Sequence, residues 1–580
     1  MSPGALTGLQ VSIVSGVLVP VPPARRLIGR KFRERARHGM KLTQFSISNH
    51  GRLANMTVEV RDHLVIVGAN DVGKTSIFRL LNFLLGSSVQ QLYQGLSVAD
   101  ITDRADALIV TARMEGFSTD EAGLFPFEMT VVDGEPDHLI LQLEVRVSED
   151  DPENVVIDRY FPDGGSRRAP TRDQLLAFGW RYLPANRSSS ADFMDGRNSP
   201  FRAMLDSTEI GEEIADLGSL LDQFNDKLAT NEALADLREE IATHLSRSIP
   251  RSFKASSLAI RTTADPKEQP LQDVTLFVKD GDELKGLLEQ SDGMRQLMAL
   301  TFFDLAQATA NIVAVDEPEI HLHASSQRTV AGLFADSDKQ RLVVTHSPYI
   351  VQRFEPKHVL VVSPDGAALQ IAADNFSAVE KEMLQWWSPQ LLEGLTARRM
   401  LFVEGLADRI IIEAAARTVG VSFDRLGVSV FALDGADKFS HVLKVVGSGG
   451  FNLPIAGICD EDRESSWATL LNLKPKKMAA NGFFVARRDL EHEYVAAIGA
   501  ERVANALIEN NVAREAGLLQ ACDVSTLSDL TAEALADFLV AKDSRKVPAA
   551  RAVAEILTPD DVQSMASMGG LLAFVNPKEA

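Results

Sequence analysis

The spacing of apolar and polar residues predicts an α/β protein with two separate units of strands and helices. Continuous apolar runs, typical of buried parallel strands, occur at residues 64–67, 311–315 and 341–344, with a helical pattern between the last two. Residues 188–248 instead carry apolar positions three and four apart, the spacing of helices. Further strands are predicted at residues 41–48, 56–60, 107–115, 139–147 and 274–278, and helices at 76–85 and 292–307.

A second unit begins near residue 396. Its pattern predicts a strand at residues 400–403, a helix at 408–419, and strands at 428–433 and 454–459. From residue 502 onwards the pattern is mostly helical. This order predicts a smaller α/β domain followed by a helical C-terminal extension.

The composition is that of a globular protein with room for two or three domains: 580 residues, 45% apolar and 24% charged. The only cysteines are Cys459 and Cys522, which excludes a disulfide framework or a cysteine-rich zinc site and indicates a reducing, cytoplasmic setting. The net charge of −21 disfavours nucleic acid as a partner, although a local basic groove can still neutralise phosphates.

The first 39 residues differ in character from the rest. An apolar stretch at residues 10–23 precedes seven positive charges between Arg25 and Arg37, the reverse of the order in a signal peptide. The stretch is too short to cross a membrane. We interpret residues 1–39 as a basic extension, and expect native translation to start at Met40, where a clear strand pattern begins.

A glycine-rich segment, Gly68-Ala-Asn-Asp-Val-Gly-Lys-Thr75, lies between a predicted strand and a predicted helix. The glycines let backbone N–H groups point at phosphate oxygens, and a helix N-terminus favours negative charge. Lys74 is expected to reach the β- and γ-phosphates of ATP, and the Thr75 hydroxyl to bind Mg²⁺. The residues predicted to hold ATP from this segment are Gly68, Asn70, Asp71, Gly73, Lys74, Thr75 and Ser76.

Two later strands end in residues that complete a nucleotide site. The run at 311–315 ends in Asp316 and Glu317, the Walker B arrangement, in which the first acid holds Mg²⁺ and the second polarises the attacking water. The run at 341–344 is followed by His346, which can contact the γ-phosphate. Together these motifs predict ATP binding and hydrolysis.

Residues 40–374 resemble an ABC-type ATPase. The signature motif of that family corresponds to Gln290-Ser-Asp-Gly-Met-Arg-Gln296, in which Ser291 and Gly293 match the pattern while Asp292 and Met294 depart from it. The resemblance implies that Ser291 and Gly293 complete the ATP site of a second subunit, so that ATP is sandwiched in a dimer.

Two features near these motifs stay open. The glutamine that contacts the nucleotide in ABC-type ATPases has three candidates, Gln90, Gln91 and Gln94. Glu319, His321 and His323 follow the Walker B acids and fit either a zinc site or a polar helix start; since no further zinc ligands are evident, they are left without a role.

Acidic residues gather at the predicted strand ends of the second unit. Glu404 follows its first strand, Asp408 opens the next helix, and Asp460 and Asp462 follow a later strand. In an extended segment Asp460 and Asp462 share a face because side chains alternate. Converging carboxylates raise one another's pKa unless a cation neutralises them, and oxygen ligands suit Mg²⁺ or Mn²⁺. This pattern predicts a divalent-metal site for phosphodiester chemistry.

The second unit resembles a TOPRIM domain. Behind an ABC-type ATPase it resembles the overcoming lysogenization defect (OLD) family of nucleases, which includes the nuclease subunit of the Gabija anti-phage system; the stretches 182–187 and 317–323 also look like that family. The resemblance implies a lysine that assists the cleaved phosphate, with Lys546 as first choice and Lys542 as second, and a helical insert that mediates dimerisation. The metal ligands that it implies are Glu404, Asp408, Asp460, Asp462 and Glu491.

The expected fold is thus an ABC-type P-loop ATPase domain with a helical dimerisation insert, then a TOPRIM α/β domain and a helical extension. The predicted boundaries are 1–39 for the basic extension, 40–187 and 266–390 for the ATPase, 188–265 for the insert, 396–500 for the TOPRIM domain and 501–580 for the helical extension.

The leading hypothesis for function is an ATP-regulated, metal-dependent DNA endonuclease or nickase in phage defence, acting as a homodimer or higher homo-oligomer with a helicase as a candidate partner. Basic residues that could line a DNA track are Arg398, Arg399, Lys474, Lys476, Lys477, Arg487 and Arg488. A topoisomerase would need a tyrosine nucleophile, and only Tyr494 lies near the acids in sequence. The remaining alternative is an ATP-driven clamp or scaffold, of the chromosome-maintenance type, with an inactive TOPRIM domain.

Overall fold

The computed structural model describes residues 39–163, 167–185, 199–206, 211, 213–248, 254–260, 262, 274, 276–280, 283–306, 310–335, 337, 339–372, 389–435 and 438–577. The predicted basic extension up to residue 38, the residues Asn186 and Arg187, and the expected start of the helical insert at Ser188 lie outside these residues. The domain boundaries stay predictions.

The first unit extends to residue 372. Its strands are β1 (Lys41–Ser48), β2 (Met56–Glu59), β3 (His63–Gly68), β4 (Leu108–Glu115), β5 (His138–Val147), β6 (Val155–Tyr160), β7 (Trp180–Leu183), β8 (Phe277–Asp280), β9 (Glu283–Gly286), β10 (Ile312–Asp316), β11 (Gln340–Val344), β12 (Val359–Val362) and β13 (Ala368–Leu369). Its helices are α1 (Lys74–Leu85), α2 (Val89–Gly95), α3 (Thr119–Ala122), α4 (Arg172–Ala177), α5 (Pro200–Asp206), α6 (Glu213–Thr230), α7 (Glu232–Ser248), α8 (Asp292–Ala306), α9 (Ala324–Ala335) and α10 (Pro348–Val351).

In the part of the chain that the structure describes, this unit has two large sheets and the two-stranded sheet β8-β9. One large sheet is antiparallel, with the order β2-β1-β4-β5-β6, and β4 alternates between buried and half-buried positions. The other large sheet has the order β13-β12-β3-β11-β10-β7 and is parallel except for β13. Every residue of β10, β11 and β12 is buried, and these strands are apolar apart from Asp316 at the end of β10 and Gln340 and Arg341 at the start of β11.

Helix α1 lies between the two sheets. Ile77, Phe78 and Leu81 share one apolar core with residues from β1, β4 and β5 on one side and from β3, β10 and β11 on the other. A helix covered on both sides is apolar around most of its circumference, as this one is. Its N-terminus is thereby fixed at the carboxyl end of β3.

The strand predicted at residues 274–278 is misplaced. The structure has β8 at Phe277–Asp280, paired antiparallel with β9 through Asp280 and Glu283. The register of a hairpin is set by where its short connection falls, and here only two residues separate the strands. The apolar residues before Phe277 were therefore a poor guide to the strand.

The second unit is a parallel sheet with the order β15-β14-β16-β17 among the described residues, followed by helices. The strands are β14 (Arg399–Val403), β15 (Val428–Ala432), β16 (Ile455–Asp460) and β17 (Phe483–Ala486). The helices are α11 (Pro389–Thr396), α12 (Leu406–Thr418), α13 (Phe423–Leu426), α14 (Phe439–Val446), α15 (Glu464–Leu470), α16 (Leu490–Ile498), α17 (Ala500–Glu509), α18 (Glu515–Ala521), α19 (Ala532–Val540), α20 (Asp543–Ile556), α21 (Pro559–Ser564) and α22 (Ala566–Val575). The chain leaves β14 towards β15 on one side and later adds β16 on the other, so the carboxyl end of β14 is a topological switch point, where ligands bind in such sheets.

Helix α11 joins the two units. Leu391, Leu392 and Leu395 are almost completely buried, in a core that contains Val65 of β3 and Phe402 of β14. Met400 fits against the helix at Gly394, where a Cβ would lie 2.4 Å from the methionine Cε. The two units therefore share one apolar core, beside a further core within each unit.

Within the described residues, no helix has the length and apolar character needed to span a membrane.

Two candidate active sites

The P-loop joins β3 to α1 through backbone conformations that favour glycine. Gly68 has φ 153°, and a Cβ there would lie 2.4 Å from the carbonyl oxygen of Val362. Gly73 has φ 99°, and its Cβ would lie 2.6 Å from Leu53 Cδ2. Gly73 also caps α1, so the first N–H groups of that helix face the loop, as phosphate binding requires.

Lys74 is the first residue of α1 and is only 5% exposed. Its Nζ donates to the carbonyl oxygens of Gly68 at 3.1 Å and Ala69 at 2.6 Å. Burial lowers the pKa of Lys74 to about 8, although the Glu317 and Asp316 carboxylates act in the opposite direction. A phosphate group beside Nζ would stabilise its charged form. Asn70, Asp71 and Thr75 are exposed on or beside the loop, and Ser76 is half-buried.

The two Walker B acids and His346 meet at the same edge of the sheet, because β11 lies between β3 and β10. Asp316 ends β10, is fully buried, and accepts a 3.4 Å hydrogen bond from the Tyr182 hydroxyl. Glu317 follows with φ 44°, and its Oε1 lies 3.8 Å from His346 Nε2. Burial, with the Lys74 charge second, lowers the pKa of His346 to about 4, so its imidazole is neutral near pH 7.

The signature-like segment opens α8 and packs against the loop that follows the Walker B acids. The Ser291 hydroxyl accepts from Met294 N at 3.4 Å, and a Cβ on Gly293 would lie 3.0 Å from the His321 carbonyl oxygen. Asp292 pairs with Arg295 within the first turn. The contribution of Ser291 and Gly293 to a second subunit's site stays a prediction.

Gln91 caps a helix, which makes it a weaker candidate than Gln90 or Gln94 for the glutamine that contacts the nucleotide. Its Oε1 accepts from the backbone N–H and hydroxyl of Ser88 at 2.8 and 3.1 Å, which caps the N-terminus of α2. Gln90 and Gln94 are exposed.

The carboxyl end of the second unit's sheet holds a cluster of three carboxylates. One oxygen from each of Glu404, Asp460 and Asp462 lies within 4.8 Å of the others. Asp460 N also donates to Glu404 Oε1 at 3.0 Å, which ties the ends of the neighbouring strands β14 and β16 together. Burial first, and neighbouring carboxylates second, raise the pKa of Asp460 to about 8. Oxygen ligands with raised pKa values fit a hard divalent cation, whose charge would favour their ionised forms.

Asp462 does join the cluster, but the prediction that an extended backbone would place it on the same face as Asp460 is wrong. Strand β16 ends at Asp460, and Glu461–Arg463 form a turn of 3₁₀-helix. The turn, and not an extended backbone, places Asp462 beside Asp460.

Asp408 and Glu491 lie beside the three-carboxylate cluster and are more buried. Asp408 Oδ2 accepts from Gly405 N at 2.8 Å at the start of α12. Burial, with Glu491 second, raises the pKa of Asp408 to about 7. Glu491 is 4% exposed, and its Oε1 lies 3.6 Å from Lys546 Nζ. Whether these two acids bind metal stays a prediction.

The structure places Lys546, and not Lys542, beside the acids. Burial lowers the pKa of Lys546, but Glu491, Asp460 and Asp408 together raise it above its usual value. Lys542 is exposed at the N-cap of α20. Lys546 is therefore the lysine in position to act at this site.

Tyr494 is a poor candidate for a nucleophile on DNA. The residue is 2% exposed, and burial, with Glu491 and Asp408 next, raises the pKa of its hydroxyl far above the usual value. A topoisomerase tyrosine must reach the DNA backbone and ionise, and this side chain is suited to neither.

Ion pairs at the junction with the helical extension were not predicted. Arg488 contacts Glu533 at 2.9 Å and Asp537 at 3.0 Å on α19. His492 Nδ1 lies 2.6 Å from Asp489 Oδ1, and its Nε2 lies 3.2 Å from Asp537 Oδ1. The helix-cap spacing of Asp489 and His492 was the signal available in the sequence. These contacts fix α16, which carries Glu491.

Some of the basic residues that were predicted to line a DNA track instead make contacts within the protein. Arg488 is held by α19, and the Arg399 guanidinium lies 4.6 Å from the ring centroid of Phe574. Lys474, Lys476 and Lys477 are exposed on one short turn.

Comparisons with known proteins give the same pair of domains. Residues 64–352 match the AAA_21 family model, an AAA domain described with the AbiEii toxin of type IV toxin–antitoxin systems. Residues 395–462 match the TOPRIM domain of overcoming lysogenization defect protein-like proteins. Endonuclease GajA of Bacillus cereus (strain VD045) is 21% identical over 431 residues, which cover 69% of this chain and 72% of that protein.

Two solved structures are given as examples of what the chain is similar to. The C-terminal region of the Burkholderia pseudomallei OLD protein is 25% identical, covers 31% of this chain and 98% of that one, and has a TM-score of 0.27. The Smc head domain with an extended coiled coil, bound to the C-terminal domain of ScpA derived from Pyrococcus furiosus, is 18% identical, covers 60% of this chain and 100% of that one, and has a TM-score of 0.35.

The predicted resemblance to OLD-like proteins and the predicted fold class are confirmed by the two family models and the endonuclease relative. The chain thus carries an AAA-type ATPase domain followed by a TOPRIM domain that is similar to those of OLD-like proteins.

Proposed function

We propose that this chain is an ATP-hydrolysing, divalent-metal-dependent DNA endonuclease or nickase. The observation that carries the proposal is the convergence of Glu404, Asp460 and Asp462 on one point at the switch point of the TOPRIM sheet. The same chain holds a P-loop, two acids and a histidine at the corresponding edge of its ATPase sheet.

The three-carboxylate cluster would hold Mg²⁺, and Mn²⁺ as an alternative, with Asp408 and Glu491 as further ligands or supports. A bound ion of this kind would activate water and stabilise charge on a phosphodiester. Lys546 lies at the border of the cluster, and its ammonium would bind a phosphate oxygen on the strand being cut. The pairing with Glu491 keeps the ammonium charged and directed towards the site.

On the ATPase side, Lys74 would bind the β- and γ-phosphates, and Asp316 and Thr75 would hold the Mg²⁺ that accompanies ATP. Glu317 would orient the attacking water, and the neutral His346 beside it would contact the γ-phosphate. Ser291 and Gly293 of one subunit would complete the site of the other in a homodimer. Exposed apolar residues on α6, such as Leu220 (61% exposed) and Phe224 (51% exposed), support the helical insert as its interface.

The proposed substrate is DNA and the proposed setting is phage defence in the cytoplasm, with a helicase as a candidate partner. Lys474, Lys476 and Lys477 supply an exposed positive cluster near the TOPRIM sheet in spite of the net charge of −21. The resemblance to the OLD family supports the defence role, which a plaque assay with wild type and Asp460→Ala would test.

The first experiment measures cleavage of supercoiled plasmid in Mg²⁺ or Mn²⁺, with ATP hydrolysis followed in parallel, for wild type, Lys74→Ala and Asp460→Ala. We expect Asp460→Ala to lose cleavage by about 100-fold or more while its ATPase rate stays within about threefold. Lys74→Ala should lose ATP hydrolysis, and its cleavage then reports how ATP controls the nuclease.

The matched control is Asp424→Ala. Asp424 is an exposed aspartate at the amino end of the same sheet, far from the carboxyl strand ends, and should alter neither activity. If wild type hydrolyses ATP but never cuts DNA with either metal, the clamp or scaffold alternative replaces the nuclease.

A further inference from the structure

Glu319 has no role in the ATPase site described above, yet its carboxylate joins the two loops that form that site. It lies three residues after Asp316, in the loop that follows β10, and is partly buried. The second loop, residues 345–347, follows β11 and carries His346.

A single oxygen of Glu319 accepts three hydrogen bonds from this second loop. Glu319 Oε1 lies 2.8 Å from Thr345 Oγ1, 2.6 Å from His346 N and 3.2 Å from Ser347 N. Thr345 is 0% exposed and Ser347 is 4% exposed, so these donors have little access to water. A carboxylate accepts such bonds more strongly than a neutral group does, which makes the contact a firm anchor for the His346 backbone.

A second side chain braces the same two loops. Ser347 Oγ donates to Gln327 Oε1 at 2.6 Å, and Gln327 Nε2 donates to the Leu322 carbonyl at 2.8 Å. Leu322 belongs to the loop of Glu319, so the loops are connected at two points. Glu317 begins this loop at φ 44°, a conformation that a non-glycine residue keeps only when its surroundings hold it.

The consequence concerns the distance between Glu317 and His346. These side chains come from different loops and approach to 3.8 Å. A shift of about 1 Å between catalytic groups can reduce a rate by about 100-fold. Glu319 makes the three hydrogen bonds that hold the loop of His346 directly, and Gln327 adds a second connection between the loops.

We propose that Glu319 is a positioning residue for ATP hydrolysis, which holds the backbone of His346 so that its imidazole stays beside Glu317. This inference rests on the proposed ATPase function. Glu319 itself does not touch the nucleotide in this proposal; it acts through His346.

The test is a double-mutant cycle on the full chain with Glu319→Ala and His346→Ala, with ATP turnover and binding of a fluorescent ATP analogue as readouts. We expect Glu319→Ala to lower kcat by about 10- to 100-fold, and to change the affinity for the analogue by less than about threefold. In the His346→Ala background the same change should have little further effect on kcat, because the group that it positions is gone.

Two further variants are measured in the same assays: the conservative replacement Glu319→Gln and the control Glu355→Ala. The glutamine keeps one carbonyl oxygen for the same donors and should recover part of the lost rate; its own cycle with His346→Ala serves if the alanine variant fails to fold. Glu355 is an exposed carboxylate of the same domain, and its removal should leave kcat unchanged. Multiplicative losses in the double mutant overturn the positioning role. No ATP hydrolysis by wild type overturns the proposed ATPase function itself.

Discussion

The two sites occupy equivalent places in their sheets but are electrostatic opposites. Each lies at the carboxyl end of parallel strands. The ATPase site presents glycines, a helix N-terminus and a buried lysine, whose pKa burial lowers to about 8. The TOPRIM site presents acids, and burial with neighbouring charges raises the pKa of Asp460 to about 8. One site therefore favours an anion and the other a cation, and in both the buried charge is costly until its ligand binds.

The difference also concerns which chemical groups do the binding. The P-loop uses backbone N–H groups, so its shape depends on glycine at particular positions. The TOPRIM cluster uses side-chain oxygens, so its backbone can be ordinary. Gly68 has φ 153°, whereas Gly405, the residue after Glu404, has the extended φ of −149° that any residue adopts.

The largest expected effect is the difference between alanine substitutions at Gly68 of the P-loop and at Gly405 of the TOPRIM site. Gly68→Ala should weaken ATP binding by about 100-fold or more, since its Cβ would lie 2.4 Å from the Val362 carbonyl oxygen. Gly405→Ala should leave metal binding and cleavage within about threefold, because its Cβ would come no closer than 3.9 Å to Asp408 Oδ2. Fluorescent-nucleotide binding and plasmid cleavage measure the two effects; equal sensitivity at both positions would contradict the distinction.

A smaller effect is expected in the pH dependence of stability and metal affinity at the TOPRIM site. The pKa values of Asp408 and Asp460, about 7 and about 8, are raised above those of an unfolded chain. The folded metal-free protein therefore holds protons that the unfolded chain releases, so this stabilisation declines from about pH 4, the ordinary aspartate pKa, and is gone above about pH 8. Metal needs the ionised acids, so its affinity and its stabilising effect should increase over the same window.

Thermal melting with EDTA or with Mg²⁺, from about pH 6 to about pH 9, checks this expectation. The gap between the two melting temperatures should widen with pH by a few degrees in wild type and less in Asp460→Asn. A gap that does not change with pH, or that closes as pH rises, would show that these acids do not control metal binding.

The smallest expected effect concerns DNA. Replacing Lys474, Lys476 and Lys477 with glutamate should weaken DNA binding by about tenfold and flatten its salt dependence, while ATP hydrolysis is unchanged. Titration of labelled duplex at several salt concentrations measures both quantities. Unchanged binding would remove this cluster from the DNA path.

The sequence predicted well both the strands that are buried on both sides and β1, a partly exposed strand whose bounds are as predicted. β10 and β11 differ from their predicted bounds by a single residue at some ends, because continuous apolar runs have few alternatives. β7 and β17 were missed, since four residues are too few to show a period. β12 is just as apolar as β10, and its run at Val359–Val362 was a sufficient signal that was not used.

The residues of the candidate sites likewise differ in how well the sequence predicts them. Motifs that lie at one strand end, such as Gly68 to Thr75 or Asp316 and Glu317, can be predicted because the chemistry is local. The role of Glu319 could not be, because its three donors come from a strand end 26 to 28 residues later in the chain. The burial that shifts the pKa of Asp408 likewise depends on helices that only the folded chain brings together.

The helix that joins the two units, α11, has a consequence for how the molecule responds to heat and to ligands. Leu391, Leu392 and Leu395 lie in a core that extends from β3 to β14 and connects the units, although each unit also has a core of its own. We expect a single calorimetric transition in which ATP and the divalent cation stabilise the same cooperative unit. Occupancy of either site would then protect the other from unfolding, a form of linkage that needs no movement between the domains.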